Sequence, residues 1–237
     1  MSAFSSMNQN LFDLAHQYDD MLNRGIRLSG EDKRFFILGR LRDLRGQLPP
    51  GYLPRRVLDY GCGVGDTAPF IAAAFPGAQV VGVDTSELTL AHAEVIHGSA
   101  RFSFRLVQTF SETDSFDLCY VNGVFHHIPP AERPAALGMI HEALAPGGYL
   151  AFFENNPWNL GMQIAMSRIP FDRDAKMISP VAARRLLREA GFELRVPTRY
   201  LFYFPRALAF LRFMEPSLAR IALGAQYCVL GVKRAKT

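Results

Sequence analysis

Arg56-Val57-Leu58-Asp59-Tyr60-Gly61-Cys62-Gly63-Val64-Gly65-Asp66 is the stretch whose reading decides the fold. Val57 and Leu58 form the apolar pair of a short buried strand, and three glycines follow at alternate positions. Glycine accepts backbone angles closed to other residues and lets a ligand come close to the main chain. A strand feeding such a turn, with a helix behind it, is the first unit of a nucleotide-binding α/β fold. Asp84 ends the next apolar strand, Val80-Val81-Gly82-Val83. A carboxylate at that place can accept hydrogen bonds from ribose hydroxyls.

The loop departs from the dinucleotide fingerprint. Its pattern is G-x-G-x-G, and Asp66 stands where a dehydrogenase carries its third glycine. A carboxylate at the following helix N-terminus opposes a phosphate and suits a ligand bearing positive charge. D-x-G-C-G-x-G-D, with an acid ending the second strand, resembles the class I S-adenosylmethionine-dependent methyltransferases. The Leu144-Ala145-Pro146-Gly147-Gly148 turn is a further point of resemblance.

Working outward, strands are expected at Val57–Tyr60, Gln79–Asp84, Phe102–Val107, Phe116–Val121 and Tyr149–Phe153, with helices between them. Ser86 is placed to cap a helix carrying Leu88, Ala91, Val95 and Ile96, and another helix carries Ala136, Met139, Ile140 and Leu144. Strand and helix alternating at this spacing predict a doubly wound parallel sheet. A helix from Ser179-Pro180 to Ala190 leads to a sixth strand at Phe192, and Gln226–Val232 is the seventh. The fold class is therefore α/β: seven strands, mostly parallel, the last antiparallel by resemblance.

Residues 1–50 are expected to form an N-terminal helical cap, and residues 51–237 the methyltransferase domain. The cap has two helices, the second from about Glu31 to Leu44 with Phe35, Leu38, Leu41 and Leu44 on one face. Ser29-Gly30-Glu31-Asp32-Lys33 reads as its N-cap, or as a stretch that projects Glu31 or Lys33 into a pocket. Two insertions are expected to act as a lid. Residues 155–178 show no clear periodicity, and residues 200–223 are rich in aromatics with Arg199, Arg206 and Arg212 interleaved. Part of the second reads as a packed extension, or as an amphipathic segment touching a membrane surface or lipid-like substrate through 200–214.

The bulk numbers exclude several classes. With 49% apolar and 20% charged residues in 237, the chain reads as one globular α/β unit with appendages. A net charge of +4 with scattered Arg and Lys argues against a nucleic-acid binder. Cys62, Cys119 and Cys228 form no metal-ligand spacing, so no metal is expected. No opening signal sequence and no run of about 20 apolar residues are read, which places the chain in the cytoplasm. Oligomeric state is not legible.

The resemblance implies S-adenosylmethionine as cofactor, with S-adenosylhomocysteine as product, and a small-molecule acceptor. It places Asp59, Gly61, Cys62, Gly63 and Gly65 under the methionine part. Main-chain N–H groups of that loop are expected to bind the carboxylate and acids to face the ammonium. Asp84 is expected on the ribose with Thr85 and Ser86 beside it, Gln108 or Thr109 on the adenine amino group, and Phe110 against the base. Asn122 and Gly123 line the methionine end. Tyr18 reaches the cofactor from the cap or is simply a core aromatic. His126 or His127 is a candidate general base, at most one of them, or both are structural. Glu154 is a second candidate base or substrate ligand, or else a cap or ion-pair partner. Asn155-Asn156-Pro157-Trp158 resembles an N-methyltransferase tetrad but follows the wrong strand, so it is read as a decoy. The resulting expectation is methylation of a small molecule at oxygen, on an aromatic, apolar or lipid-linked acceptor. The alternatives are an NAD-dependent oxidoreductase and a non-catalytic partner protein of the same fold.

Overall fold

The computed structural model describes residues 29–168 and 175–235. Tyr18 and the first expected helix lie outside them. Eight strands form one sheet in the order β3-β2-β1-β4-β5-β8-β6, with β7 also on β8. β1 (Arg56–Tyr60) is central and runs parallel to β2 (Gln79–Asp84) and β4 (Phe116–Asn122). β3 (Phe102–Leu106) extends the parallel half beyond β2, and β5 (Leu144–Asn155) extends it beyond β4. The inner strands are almost continuously buried because helices cover both faces.

β8 (Gln226–Lys233) is antiparallel to β5. Its far edge is shared by β6 (Phe192–Glu193) and β7 (Arg199–Leu201). The sheet thus has eight strands rather than the seven expected. Tyr200 and Leu201, first read as the start of the second insertion, satisfy the edge of β8 together with Arg199 instead.

Side chains alternate across a strand, and two cores result. Leu58, Val121 and Phe152 face α4 (Arg133–Ala143) and α6 (Pro180–Glu189). Val57, Leu118 and Phe153 face α1 (Lys33–Gln47) and α2 (Ala68–Ala74). Asp59, two residues after Val57, therefore points to the α1 side. α1 is capped by Asp32, whose carboxylate accepts from Phe35 N at 2.8 Å. Its buried stripe is Ile37, Arg40, Leu41 and Leu44, while the expected core residue Leu38 is 41% exposed. α3 (Glu87–His97) is capped by Ser86 as read, but it buries Thr89, Leu90 and Ala93 and leaves Leu88, Val95 and Ile96 exposed. The apolar residues of that helix lie on two stripes, and only contact with the sheet decides which is covered.

The insertions also differ from the expectation. Residues 155–178 contain α5 (Leu160–Ser167), capped by Asn159. Its apolar residues sit on both faces of the helix, which hides the helical period. The second insertion holds a 3₁₀ helix, Arg206–Met214, leading into α7 (Glu215–Leu218). None of the residues in that 3₁₀ helix is buried, so it is not a core extension. Among the described residues no helix is long and apolar enough to cross a membrane.

Candidate active site

At the carboxyl end of β1 the chain turns over three glycines with positive φ. Gly61 sits so close to Val124 that an added Cβ would lie 2.3 Å from a Val124 methyl carbon. Gly63, at φ +53°, has open space where a Cβ would be. The turn is fastened from within. Gly61 N and Cys62 N both donate to Val83 O (2.8 and 3.0 Å), and Gly65 N donates to Cys62 O (3.0 Å). Gly63 N donates to Asp84 Oδ2 (2.9 Å), whose other oxygen accepts from Thr85 N (2.7 Å) and Ser86 N (3.3 Å). Most of the loop N–H groups expected on a ligand carboxylate are thus committed to the protein.

The loop opens onto a cavity of about 450 Å³. Asp59, Gly61, Cys62, Gly63, Asn122, Gly123, His126 and His127 all line it, so the structure brings together eight of the sequence-derived candidates. Gly65, Asp84, Thr85, Ser86, Gln108, Thr109, Phe110 and Glu154 do not line it. Gly65 packs against Phe104 and Ala93. Gln108 and Thr109 are exposed in a short 3₁₀ turn, and Phe110 is buried with its ring 5.9 Å from that of Phe116. Asp84 organises the loop through three main-chain donors.

Asp59 is 4% exposed, and its Oδ2 has no hydrogen-bond partner. Burial, and then the charge of Asp84, push its pKa up to about 7 against the pull of Arg40. Asn122 Oδ1 is likewise buried without a partner. Buried polar atoms are nearly always paired, so two orphaned acceptors on one cavity wall fit a ligand that brings donors. The ammonium and hydroxyls of the expected cofactor are such donors.

Asp66 does not wait for a cationic ligand. It pairs with Lys33 from α1 and accepts from His97 at 3.1 Å. Burial alone would raise its carboxyl, but these two partners hold it below the usual range. Glu31 pairs with Arg212 at 2.9 Å, tying the start of α1 to the second insertion. Ser29–Lys33 therefore serves as both cap and cavity wall.

Both histidines face the cavity, and their rings lie 4.1 Å apart. Residues 124–128 form a helical turn, with His127 N donating to Val124 O and Ile128 N to Phe125 O. In such an i→i−3 turn neighbouring side chains diverge by about 120° rather than point fully apart. Glu154 is fully buried and stands behind the turn, accepting from Phe125 N (2.7 Å) and pairing with His126 Nδ1 (2.6 Å). Burial would raise its carboxyl, yet His126 and the Phe125 N–H outweigh burial and lower it. Glu154 does not reach the cavity; it buttresses the turn and the Nδ1 side of the His126 ring. The decoy reading of 155–158 is matched by a structural role: Asn156 Nδ2 donates to Ala222 O and Gly224 O.

Several lining residues escaped the sequence reading. Arg40 Nε donates to Tyr120 Oη (2.8 Å) and its Nη1 to Gln226 Oε1 (2.9 Å), while Gln226 Nε2 donates to Asn155 Oδ1 (3.0 Å). A charge inside the apolar stripe of α1 was the available signal. Phe35, Phe36 and Phe202 form an aromatic wall, with Phe36 and Phe202 centroids 4.9 Å apart. Phe202 holds φ +62°, a strained conformation for a bulky residue, sustained by this packing. Met162 and Met166 of α5 complete the apolar side.

The profile of a family described as a methyltransferase domain matches residues 32–195. A ubiquinone/menaquinone biosynthesis C-methyltransferase of Syntrophotalea carbinolica is 32% identical over 216 residues, 87% of this chain and 83% of that protein. A trans-aconitate 2-methyltransferase of Variovorax paradoxus is 40% identical over 97 residues; that match spans 40% of this chain and only 37% of the relative. A solved S-adenosylmethionine-dependent methyltransferase of Archaeoglobus fulgidus superposes with a TM-score of 0.64 at 18% identity, covering 85% of this chain and 95% of its own, a likeness of fold.

Proposed function

Because this chain belongs to the class I S-adenosylmethionine-dependent methyltransferases, we propose that it methylates a hydroxyl of an aromatic or otherwise apolar small molecule, lipid-linked acceptors included. One observation carries the reading. A single cavity is lined by Asp59 and the glycine loop, by His126 backed by Glu154, and by the aromatic wall of Phe35, Phe36 and Phe202.

When bound, the cofactor supplies an electrophilic methyl group on a sulfonium. Asp59 and Asn122 hold its donors, and Gly63 leaves it room beside the main chain. Gly123 and Cys62 line the same wall. The aromatic wall with Met162 and Met166 orients an apolar acceptor and keeps water out, so alignment lowers the barrier. His126 Nε2 takes the hydroxyl proton, and the carboxylate of Glu154 stabilises the imidazolium that results. The relative matched along most of the chain is named for quinone biosynthesis, which supports an apolar aromatic acceptor. Its name also specifies carbon as the methylated atom, so product analysis has to separate the two. The outer side of the cavity walls supports a lipid-linked acceptor: Leu160 on α5 and Phe210 and Phe213 on the 3₁₀ helix are each more than 70% exposed.

The test is transfer of labelled methyl from S-adenosylmethionine to a panel of phenols, quinols, their prenylated forms and tricarboxylic acids. An O-methyl ether formed by wild type and lost in His126→Gln is expected. Transfer only to ring carbon or only to a carboxylate would sink the hydroxyl assignment while leaving the family intact.

A further inference from the structure

Arg40 is a buried cation with no acid in hydrogen-bond contact, although the Asp59 carboxylate is near enough to feel its charge. It is 5% exposed, and its two hydrogen-bond partners, Tyr120 Oη and Gln226 Oε1, are neutral. Among the described residues it forms no ion pair. A guanidinium carries five N–H donors in a fixed fork, so donors remain on a side chain that lines the cavity. Burying a charge without a counter-charge is costly, and a ligand that supplies one repays it.

Two further observations say what that ligand brings. The loop N–H groups of Gly61, Cys62, Gly63 and Gly65 are spent on Val83, Asp84 and Cys62. A carboxylate entering here must find its donors elsewhere. Asp59 and Tyr120 are neighbours in register on β1 and β4, on the face that α1 covers. Arg40 binds Tyr120, so the cation and the unpartnered carboxylate of Asp59 share one wall of the cavity. A cation and an anion side by side, each short of a partner, complement an α-amino acid zwitterion. A carboxylate could also come from the acceptor, but an acceptor bearing carboxylates alone would be repelled by Asp59.

We infer that Arg40 binds the carboxylate at the methionine end of S-adenosylmethionine, while Asp59 faces the ammonium. The inference rests on the cofactor assigned under the proposed function, and it moves the carboxylate from the glycine loop to helix α1. Arg40 is then the residue that distinguishes the full cofactor from nucleosides lacking the amino-acid end.

Calorimetric titration with S-adenosylhomocysteine and with 5′-methylthioadenosine separates the possibilities, because the second ligand keeps the nucleoside and sulfur but has no amino acid. Arg40→Gln should weaken S-adenosylhomocysteine by about 100-fold, as for truncation of one partner of a buried charge pair, and leave methylthioadenosine within about twofold. Arg40→Lys, which keeps the charge but loses the fork, should fall between. Wild type needs no refolding control: decarboxylated S-adenosylhomocysteine should bind it about 100-fold more weakly than the intact ligand. If both ligands weaken equally in either variant, or if wild type does not sense the decarboxylation, the assignment is overturned. S-adenosylhomocysteine affinity untouched by Arg40→Gln would put the carboxylate on the acceptor and overturn it as well. Failure of wild type to bind any of these nucleosides would instead refute the cofactor reading itself.

Discussion

Asp59 should make cofactor affinity and protein stability respond to pH in opposite directions. Its carboxyl is pushed up to about 7 in the folded protein, from the ordinary 3.8 of an aspartate, because it is buried beside Asp84 with only Arg40 in its favour. A raised carboxyl binds its proton more tightly folded than unfolded, so between pH 4 and 7 the folded state holds more protons. Stability then falls as pH rises through that window, by a total of about 4 kcal/mol at 1.36 kcal/mol per pK unit. Cofactor binding uses the ionised form, which the ligand's ammonium stabilises. Affinity should therefore rise with pH and weaken by about 30-fold between pH 8.5 and pH 5.5 for a site of pKa about 7. Asp59→Asn removes both effects: at pH 8 the free variant should melt above wild type, yet bind S-adenosylhomocysteine poorly and without a pH slope. Thermal melting and calorimetry from pH 5.5 to 8.5 read both quantities. A flat wild-type affinity, or a variant that keeps the wild-type slope, would refute the reasoning.

The two loop glycines should fail differently: Gly61→Ala drives a methyl into Val124 and should destabilise the fold by roughly 1–3 kcal/mol, whereas Gly63→Ala should fold with a smaller loss and lose cofactor binding, as melting and calorimetry would show. Glu154→Gln keeps the bond to Phe125 N but removes the charge behind His126. It should lower kcat by about tenfold or more with cofactor KM unchanged, and bring the ascending limb of the pH-rate profile to lower pH; an unchanged profile would make the pair structural only. Phe210→Ser with Phe213→Ser should leave melting within about 0.5 kcal/mol of wild type, since both side chains are exposed, and abolish co-sedimentation with anionic vesicles if the outer wall meets lipid. Equal co-sedimentation of variant and wild type would remove the lipid surface from the functional reading.

Much of this protein is written locally. A strand of apolar residues, three glycines that must turn tightly, and an acid ending the next strand are features of adjacent residues, and the central sheet follows from their repetition. The same locality put Asp59, Gly63, Asn122 and the two histidines at one end of the sheet, because all of them lie at or just after the carboxyl ends of β1 and β4. The family match then closes the dehydrogenase alternative, which Asp66 already disfavoured.

What tertiary structure alone decided is who meets whom across long sequence distances. Arg40 reads as an ordinary helix charge until it is set against Tyr120 and Gln226, which lie 80 and 186 residues away. Asp66 reads as a ligand group until Lys33 and His97 neutralise it, and Glu154 as a base until it is found behind His126 rather than in the cavity. The exposure of Phe210 and Phe213 is equally invisible in an aromatic-rich segment, because burial depends on whether another element covers it. Charge pairing and burial are properties of neighbours in space, and the sequence alone orders neighbours only along the chain.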